Sequence, residues 1–193
     1  MPGVDSRRSL RSVVVFVILT LGVGFCIFWF GFTLMLGLSV LVGGVLLGIG
    51  VIDYDTREIP DRLIVALVPL AVLAVWVWPD VGLVSRIIGF FVISAPLLGM
   101  ALWIEGAFGG GDIKLTAVCG FLLGWPNMLF GFFVAVVLAG GWAVYLLASG
   151  KGKRGQHMAF GPALCAGIFT AMVIGDGVVG WYTNFLVIGV AYA

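Results

Sequence analysis

Charge is what this chain has least of. Lys, Arg, Asp and Glu make up 10% of its 193 residues, against 62% hydrophobic residues. An ordinary soluble domain carries roughly 25% charge. With a mean hydropathy of +1.23, the chain cannot cover a water-exposed surface, and the bilayer is its expected solvent. Cysteine is scarce too: Cys26, Cys119 and Cys165 each lie in apolar sequence, and none forms a C-x-x-C pair. A zinc site needs clustered ligands, so these thiols read as small packing residues, without disulfides. No basic stretch is long enough to suggest nucleic acid as a partner. The single histidine, His157, sits beside Lys151, Lys153 and Arg154 and reads as a loop residue.

What remains is apolar sequence. No charged residue occurs from Ser12 to Ile52. A spanning helix needs roughly 20 residues, so this run is expected to hold two helices with a break near Phe30–Thr33. Further spans are expected over about 63–78, 87–104, 113–125, 128–148 and 158–174. Gly175-Asp176-Gly177 reads as a turn, followed by a last apolar stretch that is either a short eighth span or an interfacial helix. The expected fold is all-α, a polytopic transmembrane bundle of about seven or eight spans. It comprises a cytoplasmic segment over 1–12 and one membrane-embedded domain over 13–193. Arg7, Arg8 and Arg11 before an apolar run resemble the start of a signal peptide. No A-x-A-like site follows, so an uncleaved first span is expected.

The few charges are unevenly placed. With the N-terminus in the cytoplasm and alternation at each span, Arg7, Arg8, Arg11, Arg57, Arg62, Lys114, Lys151, Lys153 and Arg154 fall inside. Only Arg86 falls outside, as the positive-inside rule expects. The same alternation puts Asp53, at the end of the second span, and Asp112, at the start of the fifth, at one cytoplasmic depth.

Two carboxylates a few ångströms apart cannot both ionise easily and tend to share a proton. Such a pair can activate water against an amide and then protonate the leaving amine, with neither cofactor nor metal. Gly109, Gly110 and Gly111 before Asp112 let the backbone turn and a substrate strand approach closely. Other readings stand beside this one. Asp112 alone is also a plausible N-cap. Asp53, Asp55, Glu58 and Asp61 with Arg57 and Arg62 also suit a solvated loop. Paired carboxylates also suit a small ion- or proton-coupled transporter, and a catalytically silent scaffold is a third reading. A divalent cation is conceivable, although no dedicated metal cage is visible.

The segment Asp53-Tyr54-Asp55-Thr56-Arg57-Glu58-Ile59-Pro60-Asp61 resembles the first acidic motif of the type IV prepilin leader peptidases and preflagellin peptidases. Gly109-Gly110-Gly111-Asp112-Ile113-Lys114 resembles their G-x-G-D motif with its following Lys. Gly120-Phe121-Leu122-Leu123-Gly124-Trp125 and Phe160-Gly161-Pro162 are similar to further motifs of bacterial members.

The resemblance implies an intramembrane aspartyl endopeptidase with Asp53 and Asp112 as catalytic residues. Its substrate would be a pilin-like precursor, cut between a short basic leader and an apolar helix. It also implies placement in the inner (cytoplasmic) membrane, with the site on the cytoplasmic side. Charge sign adds Asp55, Glu58, Asp61 and Glu105 as residues steering the basic leader. Gly109, Gly110, Gly111 and Lys114 are expected around the bound substrate. The paired C-x-x-C motifs of many bacterial relatives are absent, so peptidase activity without methyl transfer is expected. The compact form resembles the peptidases of tight-adherence pili and archaeal flagella.

Overall fold

A computed structural model describes residues 14, 15, 17–27, 33–104, 109–150 and 160–191, with side chains through 185. The polypeptide forms a helical membrane bundle, and the described residues contain no strand. In chain order the helices are α1 (Val17–Ile27), α2 (Leu34–Thr56), α3 (Asp61–Val77), α4 (Leu83–Val92), α5 (Ser94–Trp103), α6 (Gly110–Leu123), α7 (Trp125–Ala148) and α8 (Gly161–Ala191). Four stretches are long and apolar enough to cross a membrane: Leu34–Thr56, Leu83–Trp103, Trp125–Ala148 and Gly161–Phe185. Large apolar side chains such as Leu102, Trp103, Trp76 and Phe133 are exposed on the outside of the bundle. That surface suits lipid rather than water.

Helix α6 lies within the bundle, against α3, α4 and α7, while α8 packs along α7 and α2. Small residues make the closest approaches. Gly89 of α4 meets Gly120 of α6 backbone to backbone, and Gly131 of α7 meets Gly167 of α8 in the same way. Apolar burial offers little drive between helices already in lipid, so close packing of this kind carries much of the association.

Proline and glycine set the breaks. Helix α4 ends at Val92 and α5 begins at Ser94. Pro96 has no N–H for the Val92 carbonyl, and its ring crowds that carbonyl. Pro69, by contrast, sits inside an uninterrupted α3. Gly124, at φ +78°, joins α6 directly to α7. A Cβ there would lie 2.7 Å from Ser85 Oγ, so both space and backbone conformation require glycine.

Two expectations from the sequence are corrected. Gly175-Asp176-Gly177 is no turn: α8 runs through it as one helix. At 1.5 Å per residue its 31 residues extend about 46 Å, enough for a single crossing with its end beyond the bilayer core. The eighth span is therefore absent. Gly175 serves packing instead, because a Cβ there would lie 2.8 Å from Asn127 Oδ1 at the start of α7. Asn127 Nδ2 donates to Asp176 Oδ1 at 2.6 Å, which holds the acidic side chain against α7.

Arg86 is also misplaced by sequence reasoning. It lies in α4, fully buried, rather than in the loop expected before residue 87. Its Nε donates to the Val81 carbonyl at 3.1 Å. Nη1 donates to Phe121 and Leu122 at 3.2 and 2.7 Å, and Nη2 to Ala74 and Trp78 at 2.8 Å each. These carbonyls belong to the last turns of α3 and α6 and the chain just after α3. Helix C-termini leave carbonyls unpaired and carry partial negative charge. A guanidinium with five donors satisfies them together.

Candidate active site

Asp53 and Arg86 are the two buried charged side chains among the described residues. They occupy opposite ends of the bundle. Arg86 gathers the C-terminal ends of α3 and α6, whereas Asp53 lies where those two helices begin. It sits one turn before the end of α2, and the Arg57 N–H donates to its carbonyl at 2.8 Å.

Arg57 ends that helix in the left-handed region, at φ +57°. A non-glycine residue there is uncommon. Thr56 supports the turn, its Oγ1 donating to the Ile52 carbonyl at 2.9 Å and approaching the Glu58 carbonyl at 3.2 Å. Pro60 then caps α3 with an extended backbone. The turn brings Ile59 against the start of α6, where a Cβ on Gly111 would lie 2.7 Å from Ile59 Cβ. The triple glycine therefore has a local reason at its third position: α6 could not come this near with a side chain at Gly111.

Asp112 is the third residue of α6. The cap position belongs to Gly109, with no side-chain cap bond. Asp112 is therefore no N-cap, and its carboxylate is left for other partners. Its N–H donates to the Gly109 carbonyl at 3.1 Å. Oδ1 of Asp112 is buried with no hydrogen-bond partner among the described residues.

The carboxylates of Asp53 and Asp112 share the wall of one cavity of about 570 Å³. Burial first, and the charge of Asp53 second, push the Asp112 carboxyl up to about 6. Thr56, Arg57, Glu58, Asp61 and Gly109–Gly111 complete the polar part of its lining.

Each aspartate is held at the N-terminal end of a helix. Asp112 lies in the first turn of α6. Asp53 Oδ2 accepts the Gly161 N–H at 3.0 Å, and Gly161 opens α8. The partial positive charge of a helix N-terminus favours a nearby carboxylate. It offsets the unfavourable position of Asp53 at the negative end of its own helix. No side chain fits at Gly161: a Cβ would lie 2.5 Å from Asp53 Oδ2. Pro162, one residue into the helix, lacks an N–H that would in any case have no partner within the helix. Phe160 packs edge-to-face on Phe132 of α7, ring centroids 6.2 Å apart.

The remaining candidates divide. Glu58 and Asp61 line the cavity with Gly109, Gly110 and Gly111. Asp61 is also paired: Lys114 Nζ lies 2.8 Å from both of its carboxylate oxygens. This exposed ion pair ties the start of α3 to the first turns of α6. Asp55 is exposed on the last turn of α2, outside the cavity wall. Glu105, His157 and the basic loop around Lys151, Lys153 and Arg154 lie outside the described residues. Among the described residues no group of three His, Cys, Asp or Glu side chains is placed to hold a metal ion.

Gly161 and Arg86 escaped assignment to any role from sequence. The Phe160-Gly161-Pro162 triplet was the available signal for the first. A lone arginine among apolar spans was the signal for the second.

Comparison with known proteins adds an independent line. The model of the type IV leader peptidase family matches residues 40–144, which contain both aspartates. A prepilin leader peptidase/N-methyltransferase of Bacillus subtilis is 30% identical over 157 residues, covering 79% of this chain and 62% of that protein. One of Legionella pneumophila is 30% identical over 198 residues, covering 94% of this chain and 65% of that protein. One of Pseudomonas aeruginosa is 27% identical over 168 residues, covering 84% and 58%. The matches thus span less than two thirds of these relatives' length. No solved structure matches the chain significantly. With the family model matching more than half of its residues, the chain belongs to the type IV leader peptidase family.

Proposed function

We propose that this protein is an intramembrane aspartyl endopeptidase. It removes the short basic leader from pilin-like precursors at the cytoplasmic face of the inner membrane, with Asp53 and Asp112 as its catalytic residues. The observation that carries the proposal is the meeting of these two carboxylates, far apart in sequence, at one cavity. Family membership supports the reaction class, and the curated relatives bear the name prepilin leader peptidase. The proposal concerns the peptidase half of that name.

The chemistry follows from a pair that shares one proton. One carboxylate, as base, takes a proton from a water held between the two, and the water oxygen bonds to the scissile carbonyl carbon. The other, as acid, hydrogen-bonds the carbonyl oxygen as it gains charge. The proton is then delivered to the leaving nitrogen as the C–N bond breaks, and the pair returns to its starting state. The Oδ1 of Asp112, unpartnered among the described residues, suits this work, because no described group competes with water or substrate for it. The acidic lining from Glu58 and Asp61, with Asp55 and Glu105 nearby in sequence, suits a basic leader.

The test is incubation of the purified protein with a cognate precursor in lipid, followed by mass spectrometry of the products. One cut between leader and apolar helix is expected. An intact precursor, or cuts scattered elsewhere, would remove the proposal.

A further inference from the structure

A second, apolar groove lies across the last turns of α2 from the acidic cavity. It has a volume of about 620 Å³ and runs between α1, α2 and α8. Gly22 of α1, Gly43, Gly50 and Tyr54 of α2, and Pro162 and Ala166 of α8 line it. No charged residue among the described ones does, whereas the cavity is lined by Asp53, Arg57, Glu58, Asp61 and Asp112.

The two share a wall. On the last turns of α2, Gly50, Val51 and Tyr54 face the groove, while Ile52, Asp53 and Thr56 face the cavity. The start of α8 is divided in the same way: Gly161 bonds Asp53, and Pro162 lines the groove. The boundary between acidic and apolar surface therefore falls at Asp53.

We propose that this groove seats the apolar helix of the substrate, so that the start of that helix is delivered to the aspartates. The proposal rests on the leader-peptidase reading and adds a docking site to it. A precursor of the proposed kind changes from basic and polar to apolar at the bond to be cut. The protein surface changes from acidic to apolar beside the residue that would cut it. A helix laid in the groove matches its apolar face to apolar walls. The basic leader, lying just before that helix, would then face the side of α2 that carries Asp53 and the acidic cavity. A lipid chain also suits apolar walls, but it has no counterpart to the charge boundary at Asp53.

Ala166 is exposed in the groove, so Ala166→Phe narrows it without touching the aspartates. Steady-state cleavage of the full-length precursor is measured for wild type and variant in the same lipid. We expect KM to rise about tenfold, the effect of losing a modest apolar contact, with kcat nearly unchanged. Wild-type cleavage with an unchanged KM in the variant overturns the groove assignment alone. Absence of wild-type cleavage overturns the peptidase reading and the groove assignment with it.

A photoreactive benzoyl-phenylalanine in place of Ala166 or of Leu47, which also lines the groove from α2, keeps the proposal testable if Ala166→Phe does not fold. It is placed in an Asp112→Asn background to hold the precursor uncut. Both positions are expected to yield an adduct with the precursor's apolar segment, and Val137, exposed on α7, is expected to yield none. Adducts with lipid alone overturn the proposal.

Discussion

Asp53 Oδ2 accepts a hydrogen bond from the Gly161 N–H at 3.0 Å, across 108 residues of sequence. This bond fixes one carboxylate of the proposed pair to the start of α8, with no free space between them. Gly161→Ala is therefore expected to displace the Asp53 side chain, since the added Cβ would lie 2.5 Å from its Oδ2. A misplacement near 1 Å at a reacting group costs on the order of 100-fold in rate. We expect kcat to fall on that scale. Gly140→Ala, exposed on α7 away from the cavity, is the control: nothing lies within 4 Å of its added Cβ, and cleavage rates near wild type are expected. Turnover beside a thermal melt of each variant checks both.

Gly111→Ala should act differently, through Ile59. The new Cβ would lie 2.7 Å from Ile59 Cβ, pushing α6 and Asp112 away from the turn after Asp53. A loss of about ten- to 100-fold in kcat/KM is expected. Ile59→Gly in the same chain removes the opposing atom and should restore part of the loss. If the double variant is no better than the single one, steric displacement is not the cause.

The Lys114–Asp61 pair is exposed, so its contribution should be small, about 0.2–1 kcal/mol. Lys114→Asp and Asp61→Lys each place like charges together across α3 and α6. Each is expected to lower kcat/KM several-fold, more at low salt than at high salt. The exchanged double variant should recover most of the loss if the pair serves to join the two helices. Recovery would not occur if Asp61 acts by attracting the basic leader directly. Kinetics of all four proteins across a salt series separates the two roles.

Arg86 predicts a stability effect without a chemical one. Replacing it with Met removes a donor from five carbonyls; those of Ala74 and Trp78 keep the N–H groups of Trp78 and Val81, and each of the others left unpaired and not rescued by water costs about 1–3 kcal/mol. Arg86→Lys should rescue poorly, because an ammonium offers three donors in place of a planar fork. Thermal melting in detergent is expected to rank wild type above Lys and Lys above Met. Any Arg86→Met protein that remains folded should retain its KM.

These differences show what the sequence made legible. The placement of Asp53 and Asp112 at one cavity could be read because charges in a membrane chain are confined to its boundaries. Alternation of spans then assigns each boundary to a side. Gly161 could not be read that way: its backbone N–H serves a residue 108 positions earlier, and a donated N–H leaves no mark on residue type. The Gly175-Asp176-Gly177 segment misled because its composition favours a turn in water. Within the bundle its helix is retained by close packing on α7 and by the Asn127 hydrogen bond. Arg86 misled because a cation near a span end ordinarily seeks the interface. Here five carbonyl acceptors replace water.

The most direct measurement compares precursor cleavage by wild type, Asp53→Asn and Asp112→Asn, each first shown to be folded. Asn keeps the size of the side chain and removes its acid–base chemistry. The paired-carboxylate mechanism requires one cut by wild type and turnover reduced to background in each variant. Cleavage at the wild-type position by either variant, at more than a small fraction of the wild-type rate, would contradict it.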